Sequence, residues 1–240
     1  MRKFGLIGFP LTHSFSESYF QEKFFKEGIS NCQYQNYPIE DIKSVRLLLE
    51  KENLSGFNVT IPHKENIIPF LDELSKEATS IGAVNTVVKK DEKWIGHNTD
   101  WIGFYESIKA LLQKHHKKTL VLGNGGASKA IVYALKKLKI EPLIISRKEG
   151  STNYAEITKD LLAEYLIIVN CTPLGTYPKT DEYPPIPYEL LSKKHLLYDL
   201  IYNPSESRFL TYGKTNQANI KNGFEMLQRQ AEATWSIWNS

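Results

Sequence analysis

The chain has almost no cysteine, no apolar run of membrane-spanning length and hardly any excess charge of either sign. Its two cysteines, Cys32 and Cys171, lie far apart without CxxC spacing. That argues against a disulfide framework or a zinc site, and for buried thiols in a reducing compartment. Without a long apolar run no membrane-spanning helix is expected. Residues 1–14 carry only a short apolar core that stops at Pro10, unlike a secretory signal, so the protein is expected in the cytoplasm. A formal net charge of +3, from 30 basic and 27 acidic residues, leaves no basic field for nucleic acid. The one dense basic run, residues 114–118 with His115 and His116, reads as a solvated helix end.

What remains is ordinary globular material, 41% hydrophobic over 240 residues, enough for one large domain or two modest ones. In the first half, strand-like and helix-like stretches alternate. Residues 4–9 read as a buried strand, 16–27 as a helix, 33–39 as a strand, and 57–60 as a short strand. Asp41 can cap a helix running to Lys51. A polar helical stretch is expected from Lys64 to Thr79. Residues 83–90 and 94–98, joined by Asp91 and Glu92, suggest a hairpin. Asp100 then caps a helix over 101–113, after which the pattern becomes strictly β-α-β. Residues 120–122, 143–145, 166–169 and 196–198 are continuous apolar strands, as in a parallel sheet buried on both faces. Phe224, Leu227, Ala231, Trp235 and Trp238 fall at helical spacing, an amphipathic closing helix whose tryptophans are packing residues.

The run Gly123-Asn124-Gly125-Gly126-Ala127-Ser128 follows the strand Leu120-Val121-Leu122 and opens a helix. Such a turn brings backbone N–H groups close to a dinucleotide pyrophosphate at a helix N-terminus. Ser128 stands where the fingerprint ends in glycine or alanine, and a tight turn without a ligand is the alternative. An NAD site of this kind carries an acid at the end of the next strand, on the ribose 2′-hydroxyl. Here Ser146 is followed by Arg147 and Lys148, a pair that suits a 2′-phosphate and hence NADP. An exposed basic loop is the plainer alternative.

Four polar clusters lie at strand ends and turns: residues 12–16, 58–64, 82–86 and 96–100. Taken singly, each has a structural reading: Ser16 as a helix cap, Thr60 and Pro62 as turn formers, Asn85 as a backbone partner, Asp100 as a cap. Taken together with the glycine turn, they resemble the shikimate dehydrogenase family nearly end to end. Ser14 and Ser16 match its serine pair, 58–64 its NVTxPxK, 82–86 its GAVNT and 96–100 its GxNTD. Further on, 123–127 resembles its GxGGA, 170–175 its NxTPxG and 202–204 its YNP. Gly223, Met226, Leu227 and Gln230 match its closing GxxMLxxQ. Departures are Glu17 for proline, Ser146 for asparagine before Arg147, Lys148 for threonine, Thr176 for methionine, and a chain short for the family.

The resemblance implies an α/β fold of two lobes. Residues 1–100 with 223–240 would form an α/β substrate-binding domain, and 101–222 a Rossmann-type NADP-binding domain with a parallel sheet. It implies reversible NADPH-dependent reduction of 3-dehydroshikimate to shikimate, on the route to chorismate and aromatic amino acids. The implied catalytic pair is Lys64, as proton donor to the developing alkoxide, and Asp100. The implied substrate residues are Ser14, Ser16, Asn58, Thr60, Lys64, Asn85, Asp100, Tyr202 and Gln230. NADP(H) would meet Gly123, Asn124, Gly125, Gly126, Ala127, Ser146, Arg147, Lys148, Thr172, Leu200 and Gly223. No metal is needed, and His13, His63 and His97 would be supporting or exposed groups. The partners are then small molecules, with neither nucleic acid nor membrane, for a monomer or homodimer. Two alternatives are a quinate/shikimate dehydrogenase that uses NAD or NADP, and a cofactor-binding regulatory protein on the same scaffold.

Overall fold

Strand β1 (Arg2–Gly8) is buried along most of its length because it lies inside a sheet, with parallel neighbours on both sides. The computed structural model describes residues 1–11, 14–147 and 152–240, and the chain divides into two units. The first takes residues 1–99 and 231–240. In it, helix α1 (Phe15–Lys26) leads to β2 (Cys32–Pro38), and helix α2 (Val45–Glu52) to β3 (Gly56–Val59). Then come β4 (Glu73–Leu74), α3 (Lys76–Ile81) and the antiparallel hairpin β5 (Thr86–Lys90) and β6 (Lys93–His97). The sheet order is β2-β1-β3-β5-β6-β4. Asp91 and Glu92 close the hairpin with φ of 49° and 63°, the backbone a two-residue turn demands.

The stretch 64–79 is not the helix its composition suggests. Pro69 has no N–H to give and disfavours a helical residue before it, so only a 3-10 turn forms at Ile68–Phe70. The hairpin then takes the backbone: the Asp72 N–H donates to the Trp94 carbonyl at 2.9 Å and that of Ser75 to Gly96 at 2.8 Å. Helix α3 starts afresh, with Ser75 Oγ accepting the Ala78 N–H. Asp41 likewise caps only the 3-10 turn Ile42–Ser44, ahead of α2.

The second unit takes residues 100–230. Helix α4 (Asp100–Ile108) ends earlier than expected, in a 3-10 turn over Lys109–Leu111. The β-α-β run follows as β7 (Lys118–Leu122), α5 (Gly126–Lys137), β8 (Glu141–Ile145), α6 (Lys159–Glu164), β9 (Ile167–Asn170), β10 (Leu196–Asp199) and α7 (Arg208–Thr215). A further strand, β11 (Asn219–Lys221), precedes the closing helix α8 (Phe224–Trp238). Its five strands are all parallel, in the order β11-β10-β9-β7-β8, with one apolar layer on each face. The basic run 114–118 is a turn leading into β7, whose first residue is Lys118, and not a helix end. His116 is buried there, its Nδ1 accepting the Gln113 N–H at 3.1 Å and its Nε2–H donating to the Lys194 carbonyl at 3.0 Å.

Helix α8 contributes to both units. Residues 224–230 cluster with the second, where Met226 joins the core and a Cβ on Gly103 would lie 2.4 Å from the Met226 carbonyl oxygen. Residues 231–240 cluster with the first, where the Trp238 ring stacks on Phe4 at 4.3 Å beside Phe20. Burying each such ring stabilises the unit by about 1.5–3 kcal/mol.

Candidate functional site

In the first unit the candidate residues collect at the C-terminal ends of β1 and β3. Asn58, next to the end of β3, lies opposite Leu6 of β1 and is the last residue paired to β5, opposite Thr86. The Thr60 N–H donates to the Ile7 carbonyl at 2.9 Å, and the His63 N–H donates back to Thr60 at 2.8 Å. These bonds form the tight turn that carries Lys64. The Lys64 carbonyl in turn accepts the Val84 N–H at 2.7 Å, next to Asn85. Lys64 itself is half-buried. Buried His63 donates from Nε2 to the Ile39 carbonyl at 2.6 Å, which ties the turn to the end of β2. His97 is half-buried, and burial lowers its basicity.

Ser14 and Ser16 stand at the start of α1. The capping role falls to Ser14, whose Oγ accepts the Glu17 N–H at 3.4 Å, and not to Ser16. Ser16 is half-buried in the first turn of α1. Glu17, where the resemblance expects proline, accepts a hydrogen bond from Asn36 Nδ2 at 2.6 Å. Thr12 and His13 lie outside the described residues.

The second unit carries Asp100, Tyr202, Gln230 and the glycine turn. Asp100 is the buried first residue of α4, and Gln230 is buried with Nε2 donating to the Leu227 carbonyl at 2.9 Å. Tyr202 is half-buried, which pushes its phenol pKa up. Gly123 has φ +106°, a backbone that L side chains rarely adopt, and its N–H donates to the Ile145 carbonyl at 2.8 Å. Gly125 caps α5 with no side-chain hydrogen bond, and Gly125 and Gly126 leave the start of that helix without Cβ atoms. A Cβ added at Gly125 would meet nothing within 4 Å. The departure at Ser128 has a local cause: it is buried, and its hydroxyl donates to the Gly125 carbonyl at 2.7 Å, closing the turn. Ser146 is buried at the end of β8 and Arg147 is exposed beside it, while Lys148 lies outside the described residues. A turn open to pyrophosphate, followed by a cation and no acid, fits an NADP-type dinucleotide.

One residue that motif reading passed over organises this end of the sheet. Asp199, fully buried at the end of β10, accepts from Asn170 Nδ2 at 3.0 Å, from the Ile201 N–H at 3.1 Å and from the Ser207 hydroxyl. Asn170 Oδ1 in turn accepts the Thr172 N–H at 3.0 Å and the Thr172 hydroxyl at 2.7 Å. The segments bearing Thr172, Leu200 and Tyr202 thus hang from one carboxylate. Burial raises its pKa to about 6 against the pull of its three donors. Gly223 lies equally close to this segment, since a Cβ there would fall 2.1 Å from the Leu200 carbonyl oxygen. The available signal was an acid ending the apolar strand Leu196-Leu197-Tyr198.

Among the described residues, no group of three or more His, Cys, Asp or Glu could hold a metal ion, and no helix is long and apolar enough to cross a membrane. A family model described as the shikimate dehydrogenase substrate binding domain matches residues 6–87. A Staphylococcus aureus protein named shikimate dehydrogenase (NADP(+)) is 36% identical over 250 residues, covering 99% of this chain and 92% of its own. The crystal structure of shikimate dehydrogenase from Aquifex aeolicus superposes with a TM-score of 0.89 at 34% identity, over 100% of this chain and 92% of that one. Shikimate 5-dehydrogenase from Thermus thermophilus, in complex with NADP(H) and shikimate, gives 0.87 at 29% identity, over 99% and 93%.

Proposed function

The chain belongs to the shikimate dehydrogenase family, and on that premise we propose that it catalyses the reversible NADPH-dependent reduction of 3-dehydroshikimate to shikimate. The observation that carries this reading is the lysine turn at the end of β3, which holds Lys64 beside Asn58, Thr60 and Asn85. The first unit supplies Ser14, Ser16, Asn58, Thr60, Lys64 and Asn85 for the substrate, and the second supplies Asp100, Tyr202 and Gln230 together with the cofactor residues.

When bound, NADPH supplies the hydride. The first turn of α5 and the Gly123–Gly126 loop would hold its pyrophosphate, Arg147 its 2′-phosphate, and Thr172, Leu200 and Gly223 its remaining length. Ser14 and Ser16 donate hydroxyl protons to the substrate carboxylate. Asn58, Thr60, Asn85, Tyr202 and Gln230 meet the ring oxygens with neutral donors and acceptors. The Lys64 ammonium donates to the ketone oxygen as negative charge develops there, and in the oxidative direction the amine takes that proton back. Asp100, the other member of the proposed catalytic pair, accepts from a ring hydroxyl. Free thiols at Cys32 and Cys171 support a cytoplasmic enzyme.

Lys64→Ala tests the assignment. Removing a positioned donor costs about 10²–10³ in kcat, whereas shikimate affinity, held by the neutral donors, changes little. Turnover near the wild-type rate would overturn the role of Lys64. Assaying the wild type with shikimate and quinate, each against NADP⁺ and NAD⁺, tests the reaction itself.

A further inference from the structure

The amides assigned to the substrate rest on a buried polar network that includes two residues outside every motif. Asn58 Nδ2 lies 3.1 Å from the Asn85 carbonyl oxygen, 3.2 Å from Thr86 Oγ1 and 3.4 Å from Thr234 Oγ1. Its Oδ1 accepts from the Tyr34 hydroxyl at 2.9 Å. The Asn85 amide is held in turn by Thr99: Oδ1 accepts the Thr99 N–H at 2.6 Å and Nδ2 donates to Thr99 Oγ1 at 2.9 Å. The Thr234 hydroxyl joins the two halves, 2.8 Å from Thr86 Oγ1 and 3.1 Å from Thr99 Oγ1.

Donor and acceptor counting makes this arrangement directional. A threonine hydroxyl has one proton and two lone pairs, and Thr234, fully buried on α8, has three polar neighbours to meet them. Burial drives the Tyr34 pKa upward, so its phenol stays protonated and remains a donor. A fixed donor on that side requires the oxygen of the Asn58 amide there, and sends its NH2 toward Asn85, Thr86 and Thr234. Network members are buried to 5% exposure or less, where an unpaired polar atom is costly and water cannot stand in for a lost partner.

We propose that Tyr34 and Thr234 are positioning residues for substrate recognition, orienting Asn58 and Asn85 from beneath. The inference rests on the reading that those two residues bind the substrate. It predicts a loss confined to substrate affinity, because the network lies wholly in the first unit, whereas the glycine turn belongs to the second.

The test uses the full chain, with Thr234→Val and Tyr34→Phe to delete each hydroxyl at nearly constant shape, and Thr234→Ser to keep it. KM for shikimate, KM for NADP⁺, kcat and the thermal midpoint are measured for each. Both deletions are expected to raise KM for shikimate about 10-fold, the equivalent of one buried hydrogen bond. KM for NADP⁺ and kcat stay within about 2-fold, and Thr234→Ser restores the wild-type KM. An unchanged KM for shikimate, an equal rise in both KM values, or a Ser variant as impaired as Val would overturn the proposal. Should Thr234→Val fail to fold, the Tyr34→Phe and Thr234→Ser values decide alone. A wild type that turns over no shikimate would instead overturn the functional reading.

Discussion

Replacing Asp199 by asparagine should leave the second unit folded yet remove part of its pH dependence. The carboxylate is fully buried, with Oδ1 accepting from Asn170 and Ile201 and Oδ2 from Ser207. Its pKa is raised from 3.8 to about 6, with burial the largest cause. The native state therefore binds this proton more tightly than the unfolded chain does. The resulting stability is fully present below pH 3.8 and is lost as pH rises through about 6. Between about pH 7.5 and pH 5 the linkage relation gives a gain of about 1.4 kcal/mol from this one group. Asparagine cannot titrate. Its Oδ1 can keep the Asn170 and Ile201 bonds while its NH2 donates to Ser207 Oγ, which also accepts the Leu210 N–H.

At about pH 7.5 the variant should stay within about 1–2 kcal/mol of wild type, since relief of a buried charge offsets one unpaired N–H. Asp199→Ala, by contrast, strands three donors and should cost about 3–5 kcal/mol. Urea unfolding at the two pH values checks this, with amide exchange of β10 reporting the second unit. Subtracting variant from wild type cancels every other titrating group, including the buried histidines. A difference that stays flat with pH, or an Asn variant as unstable as Ala, would refute the reasoning.

Two further outcomes follow from the second unit. Arg147→Ala should weaken NADPH by about 10- to 100-fold and leave NADH nearly unchanged, because one charge-assisted contact of about 1.5–3 kcal/mol is lost; equal losses by direct titration would show that Arg147 does not read the phosphate. Gly223→Ala puts a Cβ 2.1 Å from the Leu200 carbonyl oxygen, so backbone must move. It should lower stability by about 1–3 kcal/mol and raise KM for NADP⁺; a thermal midpoint and KM both at wild-type values would contradict that.

Much of the fold was legible because its signals are local. The β-α-β period survives in continuous apolar strands, and Asp91-Glu92 sits between two alternating runs. Where the reading failed, a distant partner had taken the backbone. Residues 64–79 have helical composition, yet Asp72 and Ser75 bond to the β6 strand. The candidate residues were found through ordered motifs, but the residues that hold them were not. Thr86 and Thr234 are 148 positions apart, and no spacing rule connects them. A weak signal did exist, for Thr234 interrupts the stripe formed by Leu227, Ala231, Trp235 and Trp238. A hydroxyl on an otherwise apolar face needs a buried partner.

The same logic holds in both units. Motif residues stand at the C-terminal ends of parallel strands, and a buried polar node with no motif of its own lies beneath them: Tyr34 with Thr234 in one, Asp199 with Ser207 in the other. A motif letter fixes which atoms are offered, whereas the node fixes where they point. Ser128 shows how a departure from pattern is absorbed, because its hydroxyl is spent on the Gly125 carbonyl and the turn is kept. Glu17 is the opposite case. It adds a carboxylate beside the two serines, with Oε2 held at 2.6 Å by Asn36 of the neighbouring strand and Oε1 only at 3.5 Å by Gln21 of its own helix. A substitution whose new polar atoms close a local bond preserves the site, and one whose charge is held by a neighbouring strand changes the field around it.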